Sequence, residues 1–131
     1  IAPGKMPFFA VPAIVAARDG RGVFAAAGSG GYPILAGVVN TMVNFVDHGM
    51  GVQAAIDEPR VHSQGAQTYV DSRVPAAVRA RLAEIGHELV VQDVTPGELP
   101  FSRVGAVAVD EDGVLTAGSG PAWTTAAGGL D

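Results

Sequence analysis

Two adjacent glycines, Gly30 and Gly31, are the residues of this sequence with the clearest chemical potential. They close the segment 28–31, Gly-Ser-Gly-Gly, which follows an apolar run and precedes a helical pattern that begins near Pro33. A ligand can approach such a backbone closely, and the first N–H groups of a helix face an electropositive end without intrahelical partners. The loop could hold a carboxylate or the oxyanion of an acyl-transfer intermediate. A tight strand-to-helix turn that needs glycine for steric reasons explains the same residues, so both explanations stay open.

Ser29, inside this loop, does not fit the pattern of an activated nucleophile. A nucleophile elbow has glycines two residues before and two residues after the serine, but the residue two before is Ala27. No base can be assigned to Ser29 by spacing, and we expect a helix N-cap or loop hydrogen bond instead. No Lys-Ser or Lys-Thr pair follows the glycines, which excludes a Walker phosphate loop.

The histidines do not predict a metal site. His48, His62 and His87 are too widely spaced to form an H-x-H or H-x-x-x-H pair. The acidic triplet at 110–112 lacks the spaced ligands of a calcium loop and is expected to be a solvated hairpin tip. We therefore predict neither a metal nor another cofactor.

Arg60 follows two acidic residues, Asp57 and Glu58, across Pro59. A carboxylate and a guanidinium at this spacing can form a strong, charge-assisted pair. We expect this ion pair to fix the turn after Pro59, which is a structural role.

The composition excludes several classes of function. The 131 residues allow one domain or part of one, and 8 Lys+Arg against 13 Asp+Glu give a net charge of −5, which disfavours nucleic acid as a partner. The chain has no cysteine, which excludes disulfides and thiolate chemistry but leaves the compartment undecided. Residues 22–46 carry no charge, but glycines, Pro33 and two asparagines interrupt the run, so no membrane span is predicted. With 48% hydrophobic and 16% charged residues, the chain is expected to expose apolar surface that another protein surface covers.

The apolar periodicity predicts the elements that must position the glycine loop. Strands over 8–17 and 23–27 form a first hairpin, with Pro12 marking an edge or a bulge. A helix follows from Pro33 to Gly49, with Leu35, Val38, Val39, Met42, Phe45 and Val46 on one face and Gly37, Asn40, Thr41 and Asn44 mostly on the other. A short helix over 52–57, a strand over 67–70, a helix over 75–85 with a stripe of Val78, Leu82 and Ile85, a strand over 88–94 and a hairpin over 104–117 complete the pattern.

Strands grouped in hairpins favour an α+β fold with a mostly antiparallel sheet and helices packed on it. A doubly wound parallel sheet fits this order less well. The chain begins at Ile1 without a start methionine or a signal peptide, and we expect residues 1–131 to be a single domain or a piece of a longer protein.

The order of several motifs resembles the gamma-glutamyltranspeptidase family. Each motif is weak alone, but together and in register they cover nearly the whole chain. They are Pro-Gly-Lys-Met-Pro at 3–7 with Val-Pro-Ala-Ile-Val at 11–15, the glycine loop at 28–31, Asn-Phe-Val-Asp-His-Gly-Met at 44–50, Pro-Arg-Val-His at 59–62 within 54–62, Ile-Gly-His at 85–87 within 80–91, and the closing hairpin at 104–118.

The resemblance implies an N-terminal-nucleophile hydrolase with a four-layer αββα sandwich, of which this chain is the C-terminal part of the small subunit. It implies a precursor that cleaves itself into a large and a small subunit, and a new N-terminal threonine that attacks a gamma-glutamyl amide such as glutathione. That threonine lies upstream of the matched stretch. The partners implied are the rest of the small subunit, the large subunit and a small-molecule amide. A periplasmic or secreted location is compatible with the resemblance, as is a cytoplasmic one.

The same resemblance assigns roles to individual residues. Gly30 and Gly31 match the glycines that donate oxyanion N–H groups. Phe9 and Ala10 stand near the family's paired serines, which hold the substrate carboxylate, and neither side chain can do so. The implied acyl pocket, with Ser29 in the loop and Phe8, Phe9 and Tyr32 along its wall, therefore need not prefer glutamate. Sheet packing explains Phe8 and Phe9 equally well.

Two other classes of function stay open. The parent protein could be a non-catalytic paralogue that keeps the sandwich and binds a ligand or partner. The chain could also be a self-standing α/β domain that binds an anion at the glycine loop. A threonine at a self-cleavage point upstream of Ile1 separates the enzyme from both alternatives.

Overall fold

The computed structural model describes residues 2–6, 11–95, 100–120 and 128. Within them, three helices accompany two β-sheets. The helices are α1 (Ile34–Val46), α2 (Val52–Asp57) and α3 (Ala76–Glu84). The strands are β1 (Ala13–Arg18), β2 (Arg21–Ser29), β3 (Val61–Gln64), β4 (Gln67–Asp71), β5 (Glu88–Gln92), β6 (Arg103–Val109) and β7 (Leu115–Ser119).

The larger sheet has the order β1-β2-β6-β7, and every neighbouring pair in it is antiparallel. Both predicted hairpins are present as β1–β2 and β6–β7. The first turns at Asp19 and Gly20, which both have positive φ, as a tight two-residue hairpin turn requires. Pro12 directly precedes β1, which is an edge strand of this sheet, so the first of the two alternatives predicted from Pro12 is confirmed. The register shift of β1 lies later, between Ala16 and Ala17. The predicted strand residues 8–10 fall outside the described residues.

The smaller sheet has the order β3-β4-β5 and is mixed. β3 and β4 form an antiparallel hairpin, whereas β4 and β5 run parallel and are joined through α3. The sequence does not predict β3, because Val-His-Ser-Gln has no apolar alternation. Pairing with β4 forms this strand, and His62 lies directly opposite Tyr69.

The hydrophobic core lies between the larger sheet and the helices α1 and α2. Small side chains on the sheet let the helices approach closely. The cluster consists of Phe24, Ala26, Ile34, Val38, Val52, Ile56, Val104, Ala106 and Ala108, with Ile14, Ala16, Met42 and Phe45 packed against it.

The predicted apolar face of α1 is partly wrong. Its buried residues are Ile34, Gly37, Val38 and Thr41, whereas Leu35 is 59% exposed. Gly37 and Thr41 face inward because small residues bring the helix close to the sheet, and Thr41 Oγ1 donates to the carbonyl of Gly37 at 2.9 Å. Asn40 and Asn44, expected on the outer face, donate side-chain hydrogen bonds to the carbonyls of Val61 and Ala55.

The stripe of Val78, Leu82 and Ile85 on α3 does not face a core among the described residues. No residue of α3 is buried, and Val78 and Ile85 are 48% and 57% exposed. The helix itself is correctly predicted, and Gly86 follows it with a φ of 102°.

The outer face of the larger sheet carries apolar residues across all four strands. Val15 pairs with Ala25, Ala25 with Val107, and Val107 with Ala117. Val15, Val107 and Leu115 on this face are 74%, 41% and 70% exposed. We call this surface the outer sheet face.

None of the helices in the described ranges has the length and apolar character needed to cross a membrane.

Candidate functional site

The glycine loop leaves β2 at its last residue and leads into α1. Gly30 and Gly31 have φ values of 122° and 82°, in the region that residues with a Cβ rarely adopt. The loop then joins the helix through a hydrogen bond from the Ile34 amide to the carbonyl of Gly31 at 3.2 Å. The two glycines are therefore required by backbone conformation.

A second strand packs tightly against this loop. A Cβ on Gly28 would lie 2.6 Å from the carbonyl oxygen of Arg103, and a Cβ on Gly30 would lie 3.1 Å from the Cα of Ser102. On the helix, a Cβ on Gly37 would lie 2.5 Å from Ser102 Oγ. These glycines let the loop and the start of α1 rest directly on residues 102–103.

Ser102 is itself held in an unusual conformation. It is buried and has a φ of 66°, which is uncommon for a residue with a side chain. Its hydroxyl donates to the carbonyl of Pro33 at 3.3 Å, which ties it to the start of α1. Ser102, on which the glycine loop packs, thus has a strained backbone conformation, and the surrounding structure must stabilise that conformation.

Arg60 supplies that stabilisation. Its side chain is buried, and Nη1 donates to the carbonyls of Phe101 at 3.2 Å and Ser102 at 3.1 Å. Nη2 donates to the carbonyl of Ile56 at 2.6 Å. Burial and the nearby Arg73 lower the pKa of this guanidinium from its usual value. Arg60 therefore connects α2 to the segment that supports the glycine loop.

The predicted ion pair between Arg60 and the acidic residues before it is wrong. Arg60 binds carbonyl oxygens, because the chain turns after Pro59 and carries its side chain into the interior. The carboxylate that forms an ion pair in this region is Asp71, which is buried and bound by Arg73 at 2.7 Å. Arg73 also donates to the carbonyl of Asp57, so the turn is fixed from the second sheet.

A cleft of about 330 Å³ lies beside the glycine loop. Residues from the loop form one wall, and residues from the second sheet and the segment before β6 form the other. The lining residues are Gly30, Gly31, Tyr32, Pro33, His62, Gln64, Tyr69, Gln92 and Pro100.

Gly30 and Gly31 both line this cleft. Neither donates a backbone hydrogen bond to any atom of the described residues. No atom lies within 4 Å of the position that a Cβ on Gly31 would occupy, so the loop is open on that side. Two neighbouring N–H donors without acceptors, on a concave surface, can bind a developing negative charge.

His62 forms part of the opposite wall, and the sequence pattern did not single it out as a site residue. It is 7% exposed, its ring stacks on Tyr69 with centroids 4.8 Å apart, and it meets Phe101 edge-on at 5.7 Å. Burial lowers the pKa of His62, and the backbone of Pro100 and Ser63 acts in the opposite direction. Its place in the Pro-Arg-x-His motif was the signal that could have found it.

The structure places the other predicted site residues as follows. Tyr32 lies on the cleft, 60% exposed. Ser29 ends β2 opposite Arg103 and does not cap α1, whose N-cap is Pro33 without a side-chain hydrogen bond, so the expected N-cap role is wrong. Phe9 and Ala10 fall outside the described residues, as does Phe8.

A larger cavity of about 490 Å³ lies at the tips of the two hairpins, away from the glycine loop. Arg18, Arg21 and Glu111 are among its lining residues. None of its described lining residues is a buried polar side chain, and the residue on it with a positive φ, Asp19, belongs to the tight β1–β2 turn. The smaller cleft is therefore the better candidate site, because it combines a buried polar side chain with the glycine loop.

No group of three or more His, Asp or Glu side chains converges on a common point in the described part of the chain. Asp110 instead accepts a hydrogen bond from the amide of Val114 at 2.8 Å, within its hairpin. His87 Nδ1 lies 2.9 Å from Thr68 Oγ1.

Comparison with known proteins identifies the class to which this fold belongs. A gamma-glutamyltranspeptidase from Helicobacter pylori, solved as a mutant, superposes with a TM-score of 0.79 at 21% identity, over 93% of this chain and 66% of that chain. A cephalosporin acylase from Bacillus halodurans superposes with a TM-score of 0.71 at 28% identity, over 81% of this chain and 20% of that chain. The predicted α+β fold of the N-terminal-nucleophile hydrolase type is confirmed.

The sequence profile of the gamma-glutamyltranspeptidase family matches residues 1–130, and the chain belongs to this family. It is 33% identical over 116 residues to the acylase ACY 1 proenzyme of Pseudomonas sp. (strain SE83), covering 88% of this chain and 20% of that protein. It is 27% identical over 128 residues to the glutathione hydrolase proenzyme of Bacillus subtilis subsp. natto, covering 93% of this chain and 21% of that protein. The chain thus spans about a fifth of the length of these curated relatives.

Proposed function

We propose that this chain provides the oxyanion-binding wall of an enzyme that hydrolyses amides or transfers their acyl groups. The observation that carries the proposal is the pair of adjacent glycines, Gly30 and Gly31, which line a cleft and whose amides have no acceptor among the described residues. Oxyanion stabilisation is commonly the largest electrostatic contribution to acyl transfer. The membership of the family supports the same chemistry.

The reaction follows from this placement. A nucleophile adds to the amide carbonyl, and the electron pair of the C=O bond moves onto oxygen, where the two N–H groups stabilise the charge. The tetrahedral intermediate then collapses, the C–N bond breaks, and the amine leaves with a proton. Water or an amine attacks the resulting acyl-enzyme through the same oxyanion and releases the acyl group.

We propose that the nucleophile comes from another part of the protein. None of the nine lining residues is a serine, threonine, cysteine or lysine. We propose that an N-terminal threonine, produced when a longer precursor cleaves itself, completes the site with its α-amine as the base. The names of the relatives as proenzymes support a processed precursor.

The outer sheet face supports the presence of a partner. Val15, Val107 and Leu115 form an apolar surface on the four-stranded sheet. In a β-sandwich, such a surface is covered by another sheet, here one from a different part of the protein. We propose that the remainder of the small subunit and the large subunit of the same precursor pack there. The chain on its own is then expected to be inactive.

The substrate is proposed as a small-molecule amide carrying a gamma-glutamyl or related acyl group. The similarity to an acylase and to glutathione hydrolases supports both kinds of acyl group. Phe9 and Ala10, at the positions of the family's serines, favour an acyl group that is not recognised through a carboxylate at that point.

A glycine substitution tests the oxyanion assignment. Gly31→Ala in the full-length, processed protein forces a side chain into a φ of 82°, which displaces or strains the amide. We expect kcat on an acyl p-nitroanilide to fall about 10²-fold, with a smaller change in KM. Gly113→Ala is the matched control, since Gly113 has a φ of 84° and open space around it at the β6–β7 turn. Equal activity of the two variants would remove Gly31 from the oxyanion site.

A non-catalytic ligand-binding role is the second candidate. This role is favoured because none of the nine described lining residues is a serine, threonine, cysteine or lysine that could act as a nucleophile. Mass spectrometry of the full-length protein after brief exposure to an acyl p-nitroanilide separates the two. A covalent acyl adduct supports the enzyme, and binding without an adduct or turnover supports the ligand-binding module.

A further inference from the structure

The cavity of about 490 Å³ at the tips of the two hairpins has no part in the proposed function. We call it the tip cavity. Residues from the β1–β2 turn, from the β6–β7 turn and from the last part of α1 line it, and none of them lines the glycine-loop cleft. Its volume lies within the range of about 300–1,000 Å³ that is typical of small-molecule sites.

Two arginines form the cationic side of the tip cavity. Arg18 lies directly opposite Arg21 across the β1–β2 pair, and both line the cavity. Like charges at directly opposed positions destabilise a strand pair. Neither arginine has an ion pair among the described residues, where the pairs are those of Arg73 and Arg81. An anionic group between the two guanidiniums would remove the repulsion and gain charge-assisted hydrogen bonds.

The other hairpin supplies the acidic side. Asp110 accepts a hydrogen bond from the amide of Val114, whereas Glu111 has no side-chain partner among the described residues. Arg21 lies three residues before Phe24, and Glu111 lies three residues after Ala108, the partner of Phe24 across β2 and β6. The two opposite charges therefore stand at the same end of this strand pair.

The charge balance of the lining excludes a simple anion as the best ligand. Asp19, Asp110 and Glu111 outnumber the two arginines, so the lining carries one more negative than positive charge. An anion without a cationic group would meet this excess of negative charge. A ligand that has both an anionic and a cationic group matches both sides of the cavity.

The wall between the charged groups is apolar. Val23, Phe45 and Val109 are half-buried and line the cavity. The ring of Phe45 is held in place because it stacks on Phe24, with centroids 4.8 Å apart. A second cavity of about 310 Å³ shares Val23 and Phe45 and extends to Met50, so the apolar surface continues beyond the charged tips. This surface has room for more than one side chain.

We infer that the tip cavity binds a short apolar peptide with free termini. The terminal carboxylate lies between Arg18 and Arg21, the terminal ammonium lies at Glu111, and the apolar side chains pack on Phe45. The continuous apolar surface favours a peptide over a single amino acid. Because the tip cavity and the glycine-loop cleft share no lining residue, this binding does not depend on the proposed function.

Calorimetric titration of the full-length protein at pH 7 with three related peptides tests the two charged contacts. The dipeptide Leu-Phe has both charges, N-acetyl-Leu-Phe has only the carboxylate, and Leu-Phe amide has only the ammonium. Arg21→Gln should raise Kd about 10-fold for the two peptides that have the carboxylate and leave the amide unchanged. Glu111→Gln should raise Kd about 10-fold for the two that have the ammonium and leave the acetylated peptide unchanged.

The matched controls are Arg81→Gln and Glu84→Gln, which remove the same charges from α3, off the tip cavity. Neither should change the Kd of any of the three peptides. The inference is overturned if Leu-Phe does not bind, if Arg21→Gln weakens all three peptides equally, or if the cavity variants behave like these controls.

A cavity-filling variant locates the peptide without removing a charge. Gly22 lines the tip cavity, its φ is not positive, and a Cβ there would have no atom within 4 Å. Gly22→Leu should therefore keep the native circular dichroism spectrum and raise Kd for all three peptides at least about 10-fold. Unchanged binding in Gly22→Leu, with loss of binding in Gly31→Ala, would place the peptide in the glycine-loop cleft and overturn the inference.

The same titrations separate this inference from the proposed function. Binding of Leu-Phe that Gly22→Leu abolishes, in a protein that does not turn over an acyl p-nitroanilide, supports the tip cavity and defeats the enzymatic proposal. Turnover of the anilide without any binding of Leu-Phe does the reverse.

Discussion

The Nη1 atom of Arg60 lies 3.1 Å from the carbonyl oxygen of Ser102, and Ser102 in turn lies directly under Gly30. A Cβ on Gly30 would be 3.1 Å from the Cα of Ser102, so the two backbones are in close contact. A shift of Ser102 would therefore displace the glycine loop. Arg60 touches no lining residue of the cleft through an observed hydrogen bond. We propose that it acts as a positioning residue, which holds the backbone behind the proposed oxyanion donors.

Replacing Arg60 should therefore reduce both stability and kcat. Arg60→Met leaves three buried carbonyl oxygens without their donor, and we expect a loss of roughly 3 kcal/mol in the free energy of unfolding. Arg60→Lys keeps the charge but cannot reach all three carbonyls, so an intermediate loss is expected. Urea unfolding and steady-state kinetics of the full-length protein measure the two effects.

The matched control is Arg81→Met. Arg81 forms an exposed ion pair with Glu84, and its loss should change stability by no more than about 0.5 kcal/mol. If Arg60→Lys lowers stability but leaves kcat unchanged, Arg60 supports the fold without positioning the glycine loop.

Alanine substitutions of Gly28 and Gly37 should both destabilise the fold, but only one of the two losses should be reduced by a second substitution at Ser102. Gly37→Ala places its Cβ against Ser102 Oγ at 2.5 Å, and Gly28→Ala places its Cβ against the Arg103 carbonyl at 2.6 Å. Each should cost about 1–3 kcal/mol of stability through overpacking. Ser102→Gly removes the first obstacle and accepts a φ of 66° without strain, so it should restore part of the loss in Gly37→Ala.

The same second substitution should not help Gly28→Ala, because the obstacle there is main chain. Gly22→Ala is the control, since Gly22 has no positive φ and no neighbouring atom within 4 Å of the position that its Cβ would take. Thermal unfolding of the single and double variants gives the coupling. Equal behaviour of Gly28→Ala and Gly37→Ala in the Ser102→Gly background would contradict this packing arrangement.

The sequence predicts the elements of this fold better than the faces they bury. The apolar period correctly predicts the helix after the glycine loop. It does not predict that Leu35 is exposed and Gly37 is buried, because Gly37 is buried through its close packing against Ser102. The strand of His62 has no alternation of its own and forms through pairing with β4. Arg60 was assigned to nearby carboxylates, but its partners lie more than 40 residues away for Phe101 and Ser102. Local pattern cannot supply such distant contacts.

The glycine loop shows the opposite case. Gly30 and Gly31 stand out in sequence because adjacent glycines between a strand and a helix require a special backbone. The opposite wall of the cleft, with His62 and Tyr69, becomes visible only when the second sheet is placed beside the loop. Half of the candidate site was thus predictable from local pattern, and the other half depends on tertiary placement.

The pair of Asp71 and Arg73 should give the fold an acid-dependent component. Burial raises the pKa of Asp71, but the hydrogen bonds and charge of Arg73 outweigh it and leave the pKa below the usual value of 3.8. The folded state therefore binds the proton less readily than the unfolded state. The stabilisation is complete above about pH 4 and is lost as the pH falls through the lowered folded-state pKa.

Asp71→Asn tests this component. At pH 7 the variant should be less stable than the native protein by about 1–2 kcal/mol, since a buried charge-assisted contact is lost. The difference should shrink as the pH is lowered below about 4, because the native carboxylate becomes protonated. Glu84→Gln, in an exposed pair, is the control and should show a small effect at both pH values. A constant difference from pH 7 to pH 3 would contradict the assignment.

The outer sheet face should be required for assembly and dispensable for the fold of this chain. Val107 lies in the middle of this face, 41% exposed and paired with both Ala25 and Ala117. Val107→Lys places a charge where we propose that a second sheet packs, and burying that charge without a partner costs several kcal/mol. Co-expressed with the rest of its precursor, the variant should fail to form a stable complex on size-exclusion chromatography.

Val114→Lys gives the matched control for that experiment. Val114 is 56% exposed at the β6–β7 hairpin tip, off the outer sheet face, so a lysine there should leave assembly and activity unchanged. Circular dichroism of both variants checks that the strands are retained. Because Val107 faces away from the core between α1, α2 and the sheet, Val107→Lys should keep the native spectrum while losing its partner. Normal assembly of Val107→Lys would show that this face is not the one that the rest of the protein covers.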